Sequence, residues 1–220
     1  MKNFVLLFLI QFVILCNAFG QPRDTTEIKK NILWYSPSNV THVNGIMFNV
    51  FPVLMNEDTK NWPKINGIEI EISPLSIFFP FLTALYSLDP STHQTNYDSI
   101  PPLIKSDFKE INGLHIGLGD MELKWINGIE LSATGSFDSY VNGATFSLVL
   151  NRHLKINGLS FAVMGNHDVE TNGIQIGLIN STKKLFGFQF GLWNKNQKRS
   201  LPFINWVLKK EKTTANNSNM

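Results

Sequence analysis

Apolar and polar positions in this chain recur on a fixed period. An Asn-Gly dipeptide returns every fifteen residues at Asn112-Gly113, Asn127-Gly128, Asn142-Gly143, Asn157-Gly158 and Asn172-Gly173, and a divergent copy follows at Gly187, after Phe186. Two earlier pairs, Asn44-Gly45 and Asn66-Gly67, stand farther apart and read as the same unit carrying insertions. One, three and five residues after each glycine the chain is apolar, as in Leu114, Ile116 and Leu118 or Ile174, Ile176 and Leu178. This period-two alternation predicts strands with one buried face formed by those columns. The position between the first two columns is polar, occupied by His115, Glu130, Thr145, Ser160, Gln175 and Gln189, and the next alternate position is small. The polar column is therefore expected at the surface, His115 included.

A further apolar column lies two residues before the glycine, at Ile111, Ile126, Val141, Ile156 and Leu185, with Thr171 as the exception. Its parity differs from that of the apolar columns after the glycine, so a continuous strand cannot bury both on one face without a bulge. Asn tolerates turn conformations and Gly has no steric penalty at positive φ, so the pair is expected to bend the chain at one fixed point per unit. No proline falls between Leu103 and Leu201, as uninterrupted strand pairing requires.

The fold class is all-β, with about eight fifteen-residue units. A β-solenoid, one coil per unit with identical positions stacked ~4.8 Å apart, is preferred because insertions of variable length leave its columns intact. An eight-stranded up-and-down barrel and an antiparallel sheet of Asn-Gly hairpins remain as alternatives.

Composition narrows the function classes. The 220 residues are 43% hydrophobic and 16% charged, with 19 basic and 17 acidic side chains. Such a chain is not a disordered charged tail, and it lacks the clustered basic excess of a nucleic-acid-binding surface. Residues 1–20 have a basic start, an apolar run from Phe4 to Cys16 and small residues at Ala18 and Gly20, the pattern of a secretory signal peptide cleaved before Gln21. The only cysteine, Cys16, would leave with it, so the exported chain is expected to have no disulfide. Residues 21–206 then form a single β-repeat domain with an insertion over 74–107, and residues 207–220 a polar, disordered tail.

The units INGLHIGLG, INGLSFAVMG, TNGIQIGLIN and FGFQFGLWN resemble those of an exported bacterial surface-repeat family built on a V-N-G-L-Q-I-G-L-x-N motif. The ending GLWNKNQKRSLPFINW is similar to the carboxy-terminal part of its members. The resemblance covers most of residues 40–206, is strongest over 172–180 and weakest around Gly143. It implies export and repeat architecture at the cell surface, in the periplasm or at the outer membrane, and no catalytic residue.

Candidate chemistry is sparse. Within the insertion, Ile77, Phe78, Phe79, Phe81 and Leu82 form an apolar stretch suited to contact a membrane or partner, or to cap one side of the stack. Leu201 to Trp206 could cover the other end. Gly165-Asn166-His167-Asp168 matches the G-N-H-D box of binuclear metallophosphoesterases, but the companion ligand boxes are missing, and a turn between units accounts for these residue types. His42, His93, His115 and His153 show no metal-ligand spacing, and there is no G-x-S-x-G elbow or phosphate loop. No cofactor is expected. The reading is a non-enzymatic exported surface or envelope repeat protein with a structural or binding role, its partner open among an envelope glycan, a protein and a membrane surface; the alternative is a small outer-membrane β-barrel.

Overall fold

A computed structural model describes residues 29–36, 40–50, 63–72, 108–119 and 124–209. The signal segment, the 74–107 insertion with Ile77, Phe78, Phe79, Phe81 and Leu82, and the end of the tail lie outside the described residues. The described chain is all β, in ten strands: β1 Lys29–Ser36, β2 His42–Val50, β3 Lys64–Ile72, β4 Lys109–Gly117, β5 Lys124–Ser132, β6 Gly135–Ser147, β7 Leu150–Ala162, β8 Gly165–Ile176, β9 Ile179–Lys195 and β10 Ser200–Val207.

The strands pair in chain order, and β1 to β9 are all parallel. Only two residues separate β5 from β6, β6 from β7, β7 from β8 and β8 from β9. Parallel neighbours in an open sheet need a crossover of a dozen or more residues. A two-residue link therefore works only if each unit winds once around an axis and arrives one strand spacing further along. That is a β-solenoid. An up-and-down barrel or a hairpin sheet would need antiparallel neighbours, and the repeat units have none.

Register is strict. Gly45, Gly67, Gly113, Gly128, Gly143, Gly158, Gly173 and Gly187 are partners of one another in succession. β2 pairs with β3 and β3 with β4 in this same register, although longer stretches of sequence separate them than separate the later strands. A stacked coil tolerates loops on one side because each coil touches only its neighbours.

One further coil was hidden in the sequence. β1 pairs with β2 in the repeat register, Asn31 opposite Asn44 and Ile32 opposite Gly45. Ile32 takes the glycine's place at φ 84°, a strained value for a β-branched residue. At the other end, β10 reverses and pairs antiparallel with β9, with a register shift between Leu201 and Phe203 that flanks Pro202. A reversed, bulged, proline-bearing strand is a poor template for a further parallel coil. The expected cover over Leu201–Trp206 is thus present as a strand. It runs on to Val207, which is buried.

The side-chain phase is the reverse of the sequence expectation. Val43, Ile65, Ile111, Ile126, Val141 and Ile156, the column before the glycine, form the buried hydrophobic cluster. Positions two and four after the glycine share its parity and also point inward, so Glu130 and Ser132 are buried on β5 while Ile129 and Leu131 are exposed. The apolar columns after the glycine lie on the outside. No bulge between β4 and β5 is needed, because only one apolar column belongs to the core.

Candidate functional site

Two ladders of amide side chains run along the stack. The outer one consists of the repeat asparagines: Asn44 donates to Asn31, Asn66 to Asn44, Asn112 to Asn66, Asn127 to Asn112, Asn142 to Asn127, Asn157 to Asn142 and Asn172 to Asn157, over 2.6–3.0 Å. Phe186 ends it in β9. The Asn-Gly pairs sit inside strands, not in hairpin turns. Their glycines have φ between +134° and +147°, and a Cβ on Gly128 would overlap the carbonyl oxygen of Gly113 in the preceding coil. The glycine is thus required by close backbone approach as well as by φ.

The inner ladder was not anticipated. Asn151, Asn166, Asn180 and Asn194 are fully buried, and each of the first three donates to the next over 2.8–3.1 Å. Asn151, Asn166 and Asn180 also donate across their own coils to the carbonyls of Phe161, Ile176 and Phe190, at 3.0, 2.9 and 2.8 Å. One amide therefore ties both the coil and the stack. Its sequence signal was a second Asn spacing, at 151, 166, 180 and 194, hidden by the more frequent Asn-Gly pairs.

Asn166 belongs to the Gly165–Asp168 box, whose residues open β8 instead of forming a turn. Asp168 Oδ1 lies 2.8 Å from His153 Nδ1 and 3.0 Å from the His153 backbone N–H. Its Oδ2 accepts from Thr171 at 3.1 Å and Gln175 at 2.7 Å. Gln189 donates to Gln175 Oε1 at 2.7 Å, extending the chain of side chains to β9. His167 is exposed and points away from this network. The box residues are thus divided between an inner ladder, a buried hydrogen-bond network around Asp168 and solvent, and they do not converge on a metal.

The strongest electrostatic feature spans β3, β4 and β5. His115 is fully buried, which corrects its expected surface position: its parity follows Ile111. Lys109 Nζ lies 2.6 Å from Glu69 Oε1 and 3.0 Å from Glu71 Oε2. Lys124 Nζ lies 3.0 Å from Glu71 Oε2 and 3.2 Å from His115 Nε2, and His115 Nδ1 lies 3.0 Å from Glu69 Oε2. An ammonium has only donors, so His115 accepts at Nε2 and donates from Nδ1 as the neutral imidazole. Burial by itself raises the Glu69 carboxyl, but the Lys109 charge, then the His115 hydrogen bond, and the Lys124 charge override it and hold the group well below its ordinary value of 4.5.

Among the described residues, Glu69, Glu71 and His115 offer ligand atoms within 4.8 Å of one another. The two ammonium groups already neutralise the two carboxylates, and a cation would have to displace them. The group is a closed ion-pair cluster inside the stack, and it was legible only as scattered Glu, Lys and His.

What faces outward is apolar. Leu131 and Phe146 on adjacent coils, and Phe188 and Phe190 on β9, are each more than a third exposed. A hollow of about 560 Å³ lies over this face, lined mainly by Ile70, Ile116, Leu131, Phe146, Leu148 and Phe161. No helix among the described residues is long and apolar enough to cross a membrane. In comparisons with known proteins, no family model, no curated protein and no solved structure matches the chain.

Proposed function

We propose that this chain is a non-enzymatic, exported surface or envelope repeat protein, a stacked scaffold whose outer apolar sheet face is its contact surface. The observation that carries this reading is the inverted phase: polar groups, including six charged side chains and two histidines, are held inside the coil, while Ile, Leu and Phe columns are presented outward. Burying ions is costly, and exposed contiguous apolar surface is normally avoided unless it binds something. The secretory pattern of residues 1–20 and the resemblance of the repeats to exported surface-repeat proteins support export. The G-N-H-D-like stretch supports no reaction, because Asn166 and Asp168 are committed to internal hydrogen bonds.

The test has two arms. Expression with the native amino terminus in a secreting bacterial host should give an exported chain beginning at Gln21 by mass spectrometry; retention of residues 1–20 in the cytoplasm would remove export. At protein concentrations low enough to leave the face open, an immobilised alkyl matrix should retain the folded protein and lose it after Leu131→Glu; equal retention by the folded variant would remove the contact face.

A further inference from the structure

We infer that the apolar face binds the same face of a second copy of this chain, packing two solenoids sheet to sheet in a two-fold dimer. This rests on the contact-face reading and names its partner.

From β2 to β9, every position one, three and five residues after the repeat glycine is apolar. The face therefore carries no charge of its own and presents no like-charge repulsion to an identical surface. Eight stacked strands and five residues along each give a footprint of roughly 34 Å by 13 Å. Thirteen side chains of this face are more than a third exposed, from Ile116 at 37% to Leu192 at 61% and Leu148 at 66%. With ~200 Å² for each side chain, that amounts to on the order of 1,000 Å² of apolar surface. The largest patch on an ordinary monomer is ~300–600 Å², and a stable interface takes ~800 Å² from each partner. The area thus exceeds what an isolated chain normally leaves bare and suffices for a dimer.

Shape adds a second argument. Strict register turns the columns into ridges with the strand spacing as their period, interrupted where Ala133 and Ala144 stand among Leu, Ile and Phe. Stacked sheets interlock side chains across ~10 Å when their strands are nearly aligned. A second copy has the same period by construction, and a two-fold axis brings this surface against itself with the ridges of both copies at one spacing. The hollow beside Leu131 and Phe146 is the place on this face that an inserted side chain would fill.

The experiment is sedimentation equilibrium of residues 21–220 in detergent-free buffer, with Phe146→Glu, Leu192→Glu and, as an off-face control, His167→Glu. The expected result is a dimer for the unsubstituted chain and for His167→Glu. Both face variants should be monomers with an unchanged β-sheet circular dichroism spectrum and at least tenfold weaker association. If Phe146→Glu does not fold, Leu192→Glu, at the last repeat coil, provides the readout. A folded monomer that co-sediments with phosphatidylglycerol/phosphatidylethanolamine vesicles would overturn the dimer and leave the contact face standing, with lipid as its occupant. A folded monomer that binds neither vesicles nor an apolar dye would overturn both, because the face would then be covered from within the chain.

Discussion

At the residue scale, the glycine of each unit and the isoleucine that replaces it in β1 make opposite predictions. Gly128→Ala places a Cβ against the Gly113 carbonyl at a φ of +147°, and should cost at least ~2 kcal/mol in denaturant unfolding. Ile32→Gly relieves a positive φ at the first coil and should raise stability by about 1 kcal/mol, measured in the same way. The buried ion cluster gives a third expectation. Lys109→Met leaves Glu69 without its closest counter-charge in an interior site, and should cost ~3–5 kcal/mol. Because the Glu69 carboxyl is depressed in the folded state, its contribution is fully present above its unfolded value near 4.5 and is lost as pH falls from there toward its lower folded value. The Glu69 contribution to the unfolding free energy should therefore be steady from neutral pH down to about 5 and decline below about 4.5. Glu69→Gln should flatten that acid limb, and an unchanged limb in that variant would exclude Glu69 as its origin.

At the scale of the element, the repeat places a mostly apolar column inward, two residues before the glycine, and apolar columns outward, one, three and five residues after it. Ile126→Ala should cost ~2–5 kcal/mol, since Ile126 is fully buried among Ile111 and Val141. Thr145→Leu, an exchange that a surface position would accept, should cost ~1–3 kcal/mol by crowding the coil interior and removing the hydroxyl that accepts from Asn151 at 3.2 Å. The repeat, its period and the strand assignment were legible in the sequence because Asn-Gly and its columns recur almost without exception. The inward face was not legible. Alternation fixes which positions share a face but not which face is buried, and hydrophobicity pointed to Leu131 and Phe146 over Glu130 and Thr145. The decisive clue was the parity of Ile111 and Ile126, which groups them with the polar column and excludes the apolar ones. β1 escaped notice because Ile32 removes the glycine, and the inner Asn ladder because a lone Asn at 151 or 166 carries no local motif.

At the scale of the whole molecule, the solenoid is held by three kinds of column in parallel: backbone ladders, two amide ladders and a narrow aliphatic core. Within the two Asn ladders repetition supplies the partners, because each side chain bonds its counterpart one coil away. Ends are treated differently. β10 reverses and is fastened by Arg199, whose guanidinium stacks 4.4 Å from the Trp206 ring centre and donates to the Trp206 carbonyl. Arg199→Ala should loosen this end first, seen as faster hydrogen exchange of β10 amides than of β5 to β8 amides. The lateral face outside these columns stays apolar and exposed.

The most direct test of the inverted packing is an experimental density map of residues 21–220 that resolves strands ~4.8 Å apart. The predicted result is Glu130, Thr145, Ser160 and Gln175 inside the coil with Ile126 and Val141, and Leu131, Phe146, Phe161 and Ile176 outside against a second copy. A map with those two sets exchanged, the Leu and Phe column enclosed and the Glu, Thr and Gln column in solvent, would contradict the account.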